Sequence, residues 1–95
     1  MRISVQYFAS LREIVGQREE IITLDKETSV LELLQLLASK HGKDFERYVF
    51  ERDGGTPKAY LQFLVDGQSI SRLDGLQTAL PDNSKFAIIP PVGGG

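Results

Sequence analysis

The chain has 95 residues, 11 Lys and Arg against 13 Asp and Glu, a formal net charge of -2 and no cysteine. That length holds one domain around one core, and mixed, slightly acidic charge speaks against nucleic acid, which asks for a basic stripe. No apolar run approaches the 18 or more residues of a membrane span and no signal-peptide core opens the chain, so the expectation is a cytoplasmic protein without a membrane partner. Without cysteine there is no disulfide, thiolate metal site or nucleophilic thiol, and any sulfur chemistry must use sulfur from outside.

Residues 1–8 alternate Ile3, Val5 and Tyr7 with Arg2, Ser4 and Gln6, a period of two that predicts a strand with one buried face. Ser10 and Glu13 match a capping box, which predicts a short helix with Leu11, Ile14 and Val15 inward and Gly16 as its left-handed stop. Residues 19–24 return to strand, with Ile22 and Leu24 on one face and Glu19 and Glu20 read as solvated. Strand, helical turn and strand together make a wide hairpin.

A second capping box, Ser29 with Glu32, opens the main helix. Val30, Leu33, Leu34 and Leu37 fall at helical spacing, with Leu31, Leu36 and Ala38 widening the stripe. Lys40 and His41 suit the negative end of the helix dipole, and Gly42 ends it. His41, the single histidine, reads as a solvated helix-end residue because no second histidine or cysteine could complete a metal site. Phe45, Tyr48 and Val49 predict another short helix or turn. Asp53-Gly54-Gly55-Thr56-Pro57 is a plain loop that lacks the glycine-lysine pattern of a phosphate cradle.

Leu61, Phe63 and Val65 predict the next strand, and Asp66-Gly67 is the strongest hairpin signal in the chain, with residues 68–70 pairing back briefly. Residues 73–80 are irregular or one helical turn anchored by Leu73, Leu76 and Leu80. In the last strand Phe86 and Ile88 alternate with Ala87 and Ile89. If first and last strands are neighbours they must be parallel, since right-handed crossovers through a helix are the rule. The class is α+β.

The last strand runs into Pro90-Pro91-Val92-Gly93-Gly94-Gly95. Two prolines fix φ and remove two donors, so the expectation is an extended exit from the sheet. Glycines can thread a channel too narrow for side chains. At roughly 3.3 to 3.6 Å per residue the six could hold a carboxylate about 20 Å from the strand, within reach of another protein's active site. A terminal carboxyl titrates at about 3.3 to 3.7 and is an anion at neutral pH, able to attack the α-phosphate of ATP where an enzyme positions both. A glycine-rich end is also what an inert tail looks like.

Tyr7-Phe8-Ala9-x-Leu11-Arg12-Glu13-x-Val15-Gly16 resembles the opening of the small subunit of molybdopterin synthase, and Ile89-Pro90-Pro91-Val92-x-Gly94-Gly95 resembles its ending. Leu73-Asp74-Gly75-Leu76-x-Thr78-x-Leu80-x-Asp82 is similar to a longer subgroup that includes the archaeal small modifier proteins. The resemblance, to the MoaD/ThiS-type ubiquitin-like sulfur carriers, spans the chain and is most specific in the tail. It implies a β-grasp fold: a mixed sheet of four to five strands, first and last parallel and central, one main helix on one face. The domain would cover residues 1–90 and the tail residues 91–95.

The same resemblance implies that Gly95 is adenylated by an E1-like activating enzyme and converted to a thiocarboxylate. Its sulfur would go to molybdopterin through the large synthase subunit, or the activated glycine would be joined to lysines of target proteins. Pro90, Pro91, Val92, Gly93 and Gly94 would be gripped by the partner, and Phe8, Ile70 and Ile89 would form an apolar docking patch. This chain would bind no cofactor or metal and be no enzyme by itself, with ATP and the sulfur donor supplied by partner enzymes. Gly93 stands where relatives often carry a small or polar side chain, and Ile89 where many have an aromatic. A reading from a different class is a non-covalent β-grasp interaction module.

Overall fold

In the computed structural model, which describes residues 1–91, β1 (Arg2–Tyr7) buries Ile3, Val5 and Tyr7 as its alternation requires. α1 (Ala9–Val15) follows, but the first expected capping box does not form. Its N-cap is Phe8, in extended conformation, and no side chain caps it. Ala9 enters the helix at φ 52, so the chain turns one residue early and Ser10 falls inside the first turn. Gly16, at φ 88, closes the helix in the left-handed form expected of it, its N–H donating to the Arg12 carbonyl at 2.8 Å.

β2 (Glu19–Thr23) pairs antiparallel with β1, Ile22 opposite Ile3, completing the wide hairpin. In α2 (Val30–His41) the capping box does form: Ser29 Oγ accepts from the Glu32 N–H at 3.2 Å and Glu32 Oε1 accepts from the Ser29 N–H at 2.9 Å. Val30, Leu33, Leu34 and Leu37 are buried. Leu36, expected to widen the stripe, is exposed; at 3.6 residues per turn it lies about 120° around from the stripe's centre.

α3 (Lys43–Val49) buries Phe45 and Val49. Asp53 Oδ1 then accepts the N–H groups of Gly55 and Thr56, both at 2.9 Å, which shapes the following loop as a turn. β3 (Gln62–Val65) and β4 (Gln68–Ser69) are joined at Asp66 (φ 51) and Gly67 (φ 83), both left-handed as the hairpin signal requires. Two single 3₁₀ turns, Ile70–Arg72 and Gly75–Gln77, lead to β5 (Lys85–Ile89).

The sheet order is β2-β1-β5-β3-β4, with β5 parallel to β1 and antiparallel to β3. This is the mixed five-stranded sheet, first and last strands parallel and interior, that the β-grasp resemblance implied. Leu11 of α1, the α2 stripe and Phe45 of α3 share one core with Ile3, Val5, Tyr7, Phe63, Phe86 and Ile88, so all three helices cover the same sheet face. Among the described residues no helix is long and apolar enough to cross a membrane.

The two capping boxes make opposite predictions. Ser29→Ala is expected to lose about 1 kcal/mol of stability, whereas Ser10→Ala, which removes no cap, should stay within about 0.5 kcal/mol of the parent. Urea unfolding of the two variants checks the contrast.

Candidate functional site

β5 is held on both sides up to its last residues. Ile88 lies opposite Tyr7 in the parallel ladder and opposite Phe63 in the antiparallel one, and Ile89 lies opposite Gln62. Pro90 has no N–H to give, so the ladder stops there for a covalent reason. Pro90 and Pro91 are half-buried against the domain. The other expected tail residues, Val92, Gly93, Gly94 and Gly95, lie outside the described residues.

The sheet face away from the helices carries the alternate residues. Phe8 continues the extended backbone of β1 one step past the Tyr7–Ile88 pair, which sets it in register beside Ile89, and both are half-buried. Leu64 lies opposite Ala87 on this face, and Tyr60, two residues before Gln62, is 58% exposed. Ile70 is not part of it. Its side chain belongs to the core, because the 3₁₀ turn that starts there swings it inward. Leu64 was not singled out from the sequence, although it alternates with the inward-facing Phe63 and Val65.

Under the same end of the sheet, on the core side, sits a buried carboxylate. Glu20 is 6% exposed and is met by three donors: the Tyr7 hydroxyl at 2.7 Å, His41 Nε2 at 2.8 Å and Lys40 Nζ at 2.6 Å. This corrects two expectations, that Glu20 and His41 are solvated. His41 is 13% exposed and packs at 5.7 Å, centroid to centroid, from Phe45, which also meets Tyr7 edge-on at 6.4 Å. The signal was in the sequence. Glu20 shares the phase of Ile22 and Leu24, and His41 lies four residues beyond Leu37 on the α2 stripe.

The energetics of the cluster are mutual. Burial acts to raise the Glu20 pKa, but hydrogen bonds from Lys40, Tyr7 and His41 outweigh it and hold the carboxyl below its ordinary range. Burial first, and then the bond to Glu20, push the Tyr7 phenol up, so it stays protonated and donates. One oxygen pair thus ties β1, β2 and the last turn of α2 together beneath the point where β5 ends. Among the described residues no group of three or more His, Cys, Asp or Glu is placed to hold a metal ion.

With this geometry in view, the chain can be set beside known proteins. The profile of the ThiS family matches residues 5–95. The chain is 30% identical to small archaeal modifier protein 3 of Haloferax volcanii over 95 residues, all of both chains. It is 33% identical to a candidate sulfur carrier protein of Archaeoglobus fulgidus, again over the whole of both. The crystal structure of small archaeal modifier protein 1 (SAMP1) from Haloferax volcanii superposes with a TM-score of 0.85 at 27% identity, covering 100% of both chains.

The Glu20 cluster carries its own prediction. A carboxyl whose pKa is depressed on folding contributes stability that is complete above the unfolded value, near 4.5, and is lost as pH falls through the lower folded value. Glu20→Ala should lose about 1 to 3 kcal/mol at neutral pH, because the Tyr7 hydroxyl is left buried without its acceptor. Below pH about 4.5 the parent's stability should fall more steeply than the variant's, a difference read from urea midpoints across an acid series.

Proposed function

The chain belongs to the ThiS family, and from that premise we propose that the carboxyl group of Gly95 is its working group, activated by an E1-like enzyme and used to carry sulfur. The observation that supports this most is the seating of β5. A strand bonded on both sides delivers Pro90 and Pro91 at the sheet's end, beside the outer-face residues Phe8 and Ile89. A rigid root next to an apolar surface is what a partner needs to grip the body while it works on the tail.

The chemistry proceeds in two displacements. A Gly95 carboxylate oxygen attacks the α-phosphorus of ATP, the bond to the departing pyrophosphate breaks, and an acyl-adenylate forms. A hydrosulfide-class donor then attacks the carbonyl carbon and AMP leaves, so Gly95 becomes a thiocarboxylate. ATP and sulfur come with the partner enzymes; this chain offers the carboxyl and the surface that is recognised. We assign the sulfur to the dithiolene of molybdopterin, delivered while the large synthase subunit holds Pro90, Pro91, Val92, Gly93 and Gly94 and docks on Phe8 and Ile89. The tail would be residues 91–95, appended to the 1–90 domain.

A second use of the same adenylate is supported by the 30% identity to a small archaeal modifier protein. A lysine amine of a target protein attacks the carbonyl in place of sulfur, AMP leaves, and an isopeptide bond forms. Both uses share the first displacement, so one protein can serve both.

Incubated with its E1-like enzyme, ATP and sulfide, the protein is expected to gain the mass of one sulfur-for-oxygen exchange, located by fragmentation at Gly95. An unaltered carboxylate would contradict sulfur carriage. Deleting Gly94 and Gly95 should abolish both the exchange and any lysine conjugates. If partner binding were the whole function, that deletion would leave it intact.

A further inference from the structure

Lys43 and Arg47 of α3, with Arg52 and Lys58 of the loop that follows, line one concave cleft of about 640 Å³ together with Phe50. Four of the chain's 11 basic residues therefore gather in one place on a molecule of net charge -2. Among the described residues none of the four is within ion-pair distance of an acid, since both ion pairs found use Glu20. Lys43, Arg47 and Arg52 are exposed. Exposed cations left single contribute little to the stability of the fold.

The cleft does not stand apart from the tail. Lys58 also lines a second groove, of about 490 Å³, which passes Tyr60 and Leu61 to Gln62. Lys58 Nζ lies 5.8 Å over the Tyr60 ring. The two concavities meet at Lys58 and form a track from α3 to β3, whose Gln62 lies opposite Ile89 of β5.

We propose that this track docks an acidic segment of the E1-like enzyme that activates the tail, a contact that rests on the activation reading above. The charge favours a peptide over a nucleic-acid backbone. Glu46 and Glu51 line the cleft between the cations, with Asp44 and Asp53 in the same α3 and loop segments. A continuous phosphate rail would meet those carboxylates, whereas a peptide can set Asp or Glu against Lys43, Arg47, Arg52 and Lys58 and place apolar or basic residues elsewhere. Such rim charges act mainly on encounter, raising the association rate at low ionic strength.

The test uses the full-length protein and its E1-like enzyme, with ATP–pyrophosphate exchange read at low and at physiological salt, and direct binding read by calorimetry without ATP. The triple reversal K43E/R47E/R52E should raise KM on the order of tenfold, leave kcat nearly unchanged and remove the salt dependence seen in the parent. The neutral triple K43Q/R47Q/R52Q should fall between them, and R2E/K26E, reversing cations elsewhere, should match the parent. Unchanged KM and salt dependence in a folded triple reversal would overturn the docking track while leaving activation in place. Salt-sensitive binding lost in the reversal, without adenylation of the parent, would uphold the track and overturn the activation reading. No binding and no exchange by the parent would overturn both. Displacement of the enzyme by a single-stranded RNA oligonucleotide would replace the acidic segment with a nucleic acid and so contradict the proposal.

Discussion

The constraint on which the structure depends is the position of β5 between β1 and β3. A last strand at a sheet edge could fray; one bonded on both sides cannot leave without breaking two ladders, and Phe86 and Ile88 bury its inner face. β5 runs parallel to β1 and antiparallel to β3. Pro90 ends this strand by chemistry instead of by exhaustion of the core, since it lacks the donor the ladder would need. Pro90 and Pro91 are thereby reached from an interior strand of the sheet.

The Glu20 cluster is the second device at that end. An unpaired carboxylate in this core would be costly; with three donors it is compensated, and its partners come from elements that would otherwise meet only through apolar contact. Tyr7 shares its backbone register with Ile88 and its hydroxyl with Glu20, so the polar clamp inside and the β5 ladder meet at one residue. On the opposite face of the sheet Phe8 and Ile89 remain half-buried. Core and surface at the tail's root are thus two sides of the same pair of strands.

Much of this was legible from residue order. Period two gave β1 and β5, the spacing of Val30, Leu33, Leu34 and Leu37 gave α2, and Asp66-Gly67 gave the β3–β4 turn, because each signal is local and periodic. What escaped depended on tertiary context. Ser10 and Glu13 have the spacing of a cap, but the left-handed Ala9 starts the helix before them. Glu20 and His41 looked solvated by residue type, although both lie in phase with buried neighbours; type outweighed phase, and only the packed core brings their partners from β1 and α2. Ile70 looked like a surface residue by resemblance, and the 3₁₀ turn places it in the core. The cationic cleft escaped because its four members come from a helix and a loop whose approach no spacing shows.

The division of labour is physical. The described body supplies registers, caps and burial that hold a shape, and the reactive carboxyl is assigned to the tail. That assignment is tested most directly by a chain carrying one added proline after Gly95 that is never removed, incubated with the E1-like enzyme and ATP and followed by intact mass and pyrophosphate release. The account predicts no adenylate and no pyrophosphate, with the fold and the enzyme contact retained. Adenylation at the parent's rate would contradict it.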